Sequence, residues 1–155
     1  MELVLAFESA HIPYVLVGGY ALALHGIVRA TVDIDLVISL RESELQKAED
    51  ALKRLGLTSR IPVSAKEIAN FHEEYRTNRN LIAWSFVDYK NPARQVDLLL
   101  FPAIKSVQSQ TIKVHGQSVR VATKKALLKM KELANRKEDQ LDIEKLKEAI
   151  ANEKA

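Results

Sequence analysis

Two carboxylates stand inside a stretch that otherwise reads as a buried strand. In residues 15–38, "VLVGGYALALHGIVRATVDIDLVI", Asp33 and Asp35 interrupt an apolar run two residues apart. Burying an unpaired carboxylate costs several kcal/mol, and two neighbours repel each other. Residues i and i+2 of a strand project from one face, about 6.5–7 Å apart at Cα. A chain with this pattern has two ways out: the strand leaves that face open to solvent, or positive charge sits beside it. In the first case the aspartates belong to an exposed edge. In the second they form a jaw for one or two divalent cations, hard ions that prefer carboxylate oxygen. Asp97 interrupts another apolar strand, "QVDLLLF", and is the candidate third carboxylate. Asp88 competes with it but is followed by Tyr89-Lys90-Asn91-Pro92, a solvated turn, so Asp97 is preferred.

Upstream, Gly18 and Gly19 lie between the apolar run 14–17 and a helical stretch. A glycine pair there either makes a tight turn or lets backbone N–H groups approach a phosphate closely. Alone it is weak. Beside a carboxylate jaw, it points to a phosphate-bearing substrate with metal.

The remaining pattern alternates helices with strands. Residues 2–10 read as a short helix, 14–17 as a strand, 20–25 as a helix stopped by Gly26, and 31–39 as the aspartate strand. "RESELQKAEDALKRLG" is a third helix, and Ser64 with Glu67 at capping-box spacing opens a fourth. "NLIAWSFVDY" and "RQVDLLLF" flank "KNPA" as a hairpin, and "TIKVHGQSVRVAT" is a smaller hairpin turning at Gly116. From Thr123 two helices follow, meeting near residues 135–138. The order predicts an α/β (α+β) protein with a mixed sheet flanked by helices and a C-terminal helical pair. A single domain of residues 1–155 is expected, with a core over about 12–122 and C-terminal helices over about 123–153.

Composition narrows the setting. The chain of 155 residues is 47% hydrophobic and 28% charged, a globular rather than a disordered composition. Net charge is +3, compatible with a polyanionic partner but not demanding one. The absence of cysteine excludes disulfides and thiolate metal sites and fits a reducing interior. No apolar run approaches the roughly 20 residues of a membrane span. The start, "MELVLAFESAHIPY", has no basic region before its apolar residues and reads as part of the fold. A cytoplasmic protein without membrane partners is expected. A small RNA-binding module fits poorly, because aromatics are only 6% and form no stacking platform.

The stretch "VGGYALALHGIVRATVDIDL" resembles the signature of the DNA polymerase beta-like nucleotidyltransferase superfamily: a glycine pair, a helix, then aspartate-hydrophobic-aspartate on the next strand. "LLKMKELANRKEDQLDIEKL" is similar to the tail of the small bacterial AbiEii-like group, with Lys131, Arg136, Asp139 and Asp142 in matching places. The likeness spans most of the chain, although residues 41–78 carry no matching motif. The resemblance implies a triphosphate held at Gly18 and Gly19 and two magnesium ions bound by Asp33, Asp35 and Asp97. It implies transfer of a nucleoside monophosphate from a triphosphate, ATP among them, to tRNA or another RNA, a protein or a small molecule. It also implies a possible toxin or antitoxin partner, with a weakly active or inactive binding component as the alternative. Many relatives carry Gly-Ser at the turn, so a serine contact to phosphate is absent here.

Arg29 and Thr31 stand in the "R-x-T-x-D-x-D" spacing that such small enzymes show; Arg29 either reaches a triphosphate oxygen or lies on the surface. Tyr20 and His25 are candidates to line the nucleotide cleft, with helix packing as the alternative for Tyr20. Arg136 is grouped with the nucleotide-binding residues. Helix geometry singles out Lys131. With about 100° per residue, Leu127, Leu128, Met130 and Ala134 form an apolar arc, and Lys131 falls inside it. It either snorkels or faces an anionic cleft as a catalytic residue. His11, His72 and His115 have no partners at metal spacing, and "KEDQLDIEKLKE" reads as the solvated face of the last helix.

Overall fold

In a computed structural model that describes residues 1–155, one seven-stranded mixed sheet carries the molecule. Helix α1 (Glu2–Ser9) leads into β1 (Tyr14–Val17), and α2 (Gly18–Leu24) follows without a break. The glycine pair is therefore the first turn of α2 rather than a turn before it. Strand β2 (Asp33–Ile38) starts at the first aspartate, two residues later than the alternation predicts. Helix α3 (Glu42–Arg54), the two-residue strand β3 (Thr58–Ser59) and α4 (Ala65–Asn78) come next. Ser64 caps α4 as its spacing predicts: its Oγ accepts from Glu67 N at 3.1 Å and donates to Glu67 Oε1 at 3.2 Å.

The two predicted hairpins are β4 (Ala83–Val87) with β5 (Gln95–Leu99), and β6 (Ser109–Val114) with β7 (Gln117–Ala122). Asp88 closes the first, accepting from the backbone N–H groups of Lys90 (2.9 Å) and Asn91 (3.3 Å) and from Arg94 Nη1 (2.8 Å). Its carboxylate is thereby engaged within the turn, outside the row that holds Asp35 and Asp97. Helices α5 (Lys124–Ala134) and α6 (Gln140–Glu153) end the chain, separated by Asn135 in the left-handed conformation and a short 3-10 turn. No helix is long and apolar enough to cross a membrane.

Strand order is β3-β4-β5-β2-β1-β7-β6. Strand β2 runs antiparallel to β1 and parallel to β5. One register row across the sheet is Val121, Leu16, Leu36, Leu98 and Trp84. The neighbouring row is Val17, Asp35, Asp97 and Ser85. Since successive side chains point to opposite faces, these rows look to opposite sides. The first row belongs to the main core, shared with Phe7, Leu45, Leu52 and Ile68 from the helices. Farther along β2, Leu36, Val37 and Ile38 are all buried, so both faces are covered there. At the start of the strand the aspartate face remains half-open.

The short strand β3 has a specific anchor. The indole of Trp84, fully buried, donates from Nε1 to Ser59 Oγ at 2.9 Å, and Ser59 Oγ donates to the Ile61 carbonyl at 2.6 Å. Removing the hydroxyl strands a buried N–H, at a cost of about 1–3 kcal/mol. Ser59→Ala is expected to lower the melting temperature by about 2–4 °C for each kcal/mol lost, read by thermal denaturation.

Candidate active site

The parallel pairing of β2 with β5 places Asp33 opposite Gln95 and Asp35 opposite Asp97. All four side chains share one face, so three carboxylates collect at one end of two adjacent strands. None of the three enters an ion pair. Burial, followed by the charges of Asp97 and Asp33, pushes Asp35 up to about 7, although Lys131 and Arg136 pull the other way. Burial and Asp97 also raise Asp33, against the opposing charge of Arg60. The puzzle of the paired aspartates is thus answered by geometry: they stand on the half-open face and remain mutually uncompensated. Carboxylate oxygens are the donors a hard divalent cation prefers, though as they stand no three acidic or imidazole groups close on one point.

The glycines fit tightly behind them. Gly18 has φ +71°, and a Cβ there would collide with the Asp35 carboxylate. A Cβ at Gly19 would come within 2.7 Å of Thr31 Cβ. The missing side chains therefore make room first for Asp35 and Thr31, a different reason from direct phosphate access. Thr31 in turn donates from Oγ1 to the Asp33 carbonyl at 3.3 Å, steadying the strand entrance.

A second ionic group lies beside the first. Lys131 is buried, and its Nζ lies 2.9 Å from Asp139 Oδ1 and 3.1 Å from Asp142 Oδ2. Arg136 Nε donates to Asp139 Oδ2 at 2.8 Å, and Arg29 Nη1 donates to Asp142 Oδ2 at 2.5 Å. The inward direction predicted for Lys131 is observed, but the counter-charge comes from the chain's own aspartates. The reading of "KEDQLDIEKLKE" as a solvated face is corrected: Asp139 is 0% and Asp142 6% exposed. Burial alone would raise Asp139, yet hydrogen bonds from Lys131 and Arg136 hold it below the usual carboxylate range. Arg29 is neither free nor a plain surface arginine; it ties the segment before β2 to α6.

Two predicted cleft residues lie elsewhere. Tyr20 lines an apolar cavity of about 300 Å³ with Leu16, Ile34 and Leu36, on the face of the sheet opposite the aspartates. His25 donates from Nε2 to the Ala122 carbonyl at 2.8 Å, tying the end of α2 to β7. Two residues missed in the sequence join the site instead. Gln95 Nε2 donates to Asp97 Oδ1 at 3.1 Å, and Arg60 Nη1 donates to Gln95 Oε1 at 3.2 Å. Strand alternation from Asp97 points to Gln95, whereas nothing periodic flags Arg60, which follows a two-residue strand.

With this geometry in place, the class is clear: an open α/β fold of nucleotidyltransferase type. The chain matches the family described as "Nucleotidyl transferase AbiEii toxin, Type IV TA system" over residues 2–150 and belongs to it. It is a nucleotidyltransferase. No curated protein is similar enough in sequence to match. Among solved structures, ANT(2″)-Ia in complex with adenylyl-2″-tobramycin is 13% identical, with a TM-score of 0.61 over 97% of this chain and 85% of that one. The lincosamide antibiotic adenylyltransferase LnuA, lincomycin-bound, is 16% identical, with a TM-score of 0.57 over 91% of this chain and 89% of that one. An antigenic nucleotidyltransferase-like protein from Paracoccidioides brasiliensis is 20% identical, with a TM-score of 0.57 over 96% of this chain and 73% of that one. At these identities the likeness is one of fold.

The two ionic groups respond to pH with opposite signs. Asp35 is raised in the folded state, so the folded chain holds more protons between the unfolded value and about 7, and stability falls as pH rises through that window. Asp139 is lowered, so its contribution is present above the unfolded value and lost in acid. In chelator, Asp35→Asn is expected to melt several degrees above wild type at about pH 8 and close to it at about pH 4. Lys131→Met removes the cation shared by two buried carboxylates, leaving each only its arginine, and is expected to cost about 3–5 kcal/mol at neutral pH, read by denaturant unfolding. Restoring the balance with Asp139→Asn in the same chain is expected to recover part of that loss.

Proposed function

We propose that the chain transfers a nucleoside monophosphate from a nucleoside triphosphate to an acceptor hydroxyl, with release of pyrophosphate, at the face built by Asp33, Asp35 and Asp97. The observation that supports this most is the pairing of Asp35 with Asp97 beside Asp33, three carboxylates on one half-open face without an ion-pair partner. Such a set suits two magnesium ions, which when bound would neutralise charge on the entering and leaving oxygens. Asp33 and Asp35 lie nearest the Gly18 turn and hold the triphosphate side. Asp97 lies one strand farther and serves the acceptor side, where its free oxygen can take the hydroxyl proton. Lys131 and Arg136 stand within electrostatic range of Asp35 and add positive charge behind the phosphates. Arg29 meets the triphosphate only by leaving Asp142. Gly18, Gly19 and Thr31 act by letting the β1–α2 turn close against β2.

The acceptor is an RNA such as tRNA, a protein hydroxyl or a small molecule, all available with triphosphate and magnesium in the cytoplasm. Membership in a family of type IV toxin–antitoxin systems supports a second reading, in which a cognate partner protein is bound and catalysis is weak or absent. Label transfer from each α-labelled triphosphate into total cell extract separates the two, since a binding component retains triphosphate without turnover.

Asp33→Asn and Asp35→Asn are each expected to lower magnesium-dependent transfer at least about 100-fold, above 2.7 kcal/mol in transition-state terms, with no loss of melting temperature. Asp97→Asn is expected to lose transfer yet keep most of its triphosphate affinity, measured by equilibrium binding. Wild-type turnover in either of the first two variants would remove the carboxylate face from the mechanism.

A further inference from the structure

We propose that Gln95 and Arg60 form a positioning pair that aims the Asp97 carboxylate, one amide N–H holding one oxygen so that the other faces the reacting groups. This rests on the role given to Asp97 above. The geometry is a relay of two hydrogen bonds: Arg60 Nη1 to Gln95 Oε1 at 3.2 Å, then Gln95 Nε2 to Asp97 Oδ1 at 3.1 Å.

The first bond braces the second. A guanidinium has donors only, so the glutamine must turn its carbonyl oxygen toward Arg60. Its NH₂ group then points at Asp97. Without Arg60 the amide keeps only its bond to the carboxylate and can swing about its side-chain torsions, so it holds that oxygen less firmly.

Arg60 is exposed, yet its backbone is not loose. Its N–H donates to the Ser85 carbonyl at 2.9 Å, and Ser85 pairs with Asp97 across the β4–β5 hairpin. The preceding Ser59 is held by the buried Trp84 indole. The core therefore roots an arginine at the rim, and the arginine orients a group beside the carboxylates. A surface Arg–Gln contact adds little to stability, so variants at either position are expected to fold. Groups that orient a ligating side chain commonly change metal affinity or activity by about 10–100-fold when removed.

The test uses the full chain and Mn²⁺ alone, its binding followed by the paramagnetic resonance of the free ion. Asp97→Asn serves as the reference. Gln95→Met keeps the size and removes the donor. It is expected to weaken Mn²⁺ binding about tenfold with an unchanged melting temperature. Arg60→Ala is expected to weaken it about threefold, and Arg60→Lys, still a pure donor, to recover most of that loss. The double variant is expected to be no weaker than Gln95→Met, because Arg60 supports the site through Gln95 while the charge it sets against Asp33 opposes a cation. Label transfer from α-labelled ATP in cell extract is expected to fall in the same order, with KM for ATP unchanged within about twofold.

Wild-type Mn²⁺ affinity in Gln95→Met, with Asp97→Asn impaired, would overturn the pair while leaving the carboxylate site standing. Multiplying losses in the double variant would overturn it too, by showing that Arg60 acts on its own. Unchanged affinity in Asp97→Asn would mean that the carboxylate reading itself had failed, and the pair with it.

Discussion

The parallel, in-register pairing of β2 with β5 is the contact on which the rest depends. It sets Leu36 beside Leu98 and, one residue back, Asp35 beside Asp97. A strand repeats every second residue, so a single register choice delivers a core row to one face and a carboxylate row to the other. Slipping the pair by one residue would set Asp35 opposite an apolar partner and turn it toward the core. The apolar row, with Trp84 and Leu98 fully buried, makes that slip prohibitively unfavourable. The stability of the core thus holds together groups that destabilise one another.

The molecule treats its two acidic groups in opposite ways. Asp139 and Asp142 are buried with cations in direct contact: Lys131 bonds to both, Arg136 to the first and Arg29 to the second. Their energy is spent on fixing the α5–α6 corner and tying it to the segment before β2. Asp33 and Asp35 receive only distant help from Lys131, Arg136 and Arg60, and Asp97 has no cation in direct contact. The fold supplies cations readily a short distance away and withholds them here, the contrast on which the proposed metal site rests. Repulsion among these carboxylates becomes attraction for any cation placed between them, because the same charges supply both terms.

Much of this was legible before any coordinates. The glycine pair, the Asp33–Asp35 spacing and the interruption at Asp97 each depend on local periodicity, and periodicity survives into the folded strand unchanged. The capping box at Ser64 and the inward direction of Lys131 are equally local, set by helix geometry over a few residues. Errors arose where a residue's partner is distant in the chain. Tyr20 looks like a cleft residue from its place after Gly19, but the turn of α2 carries it to the far side of the sheet. His25 finds its partner 97 residues away at Ala122. Asp139 and Asp142 look solvated because charge runs on a final helix usually are; their cations lie on other elements.

By itself the sequence determined which residues could carry chemistry and which strand faces they would share, since alternation and rotation per residue are properties of the backbone. It did not determine why Gly18 lacks a side chain, since the group a Cβ there would strike, the Asp35 carboxylate, lies on the neighbouring strand. Only the tertiary structure decided which charges are neutralised and which are not. Neutralisation needs an opposite charge within a few ångströms, and that distance is fixed by strand order and helix docking. The same holds for Arg60, the residue after an unremarkable two-residue strand, which matters only because β3 lies two strands from Asp97 and a buried indole holds Ser59 there.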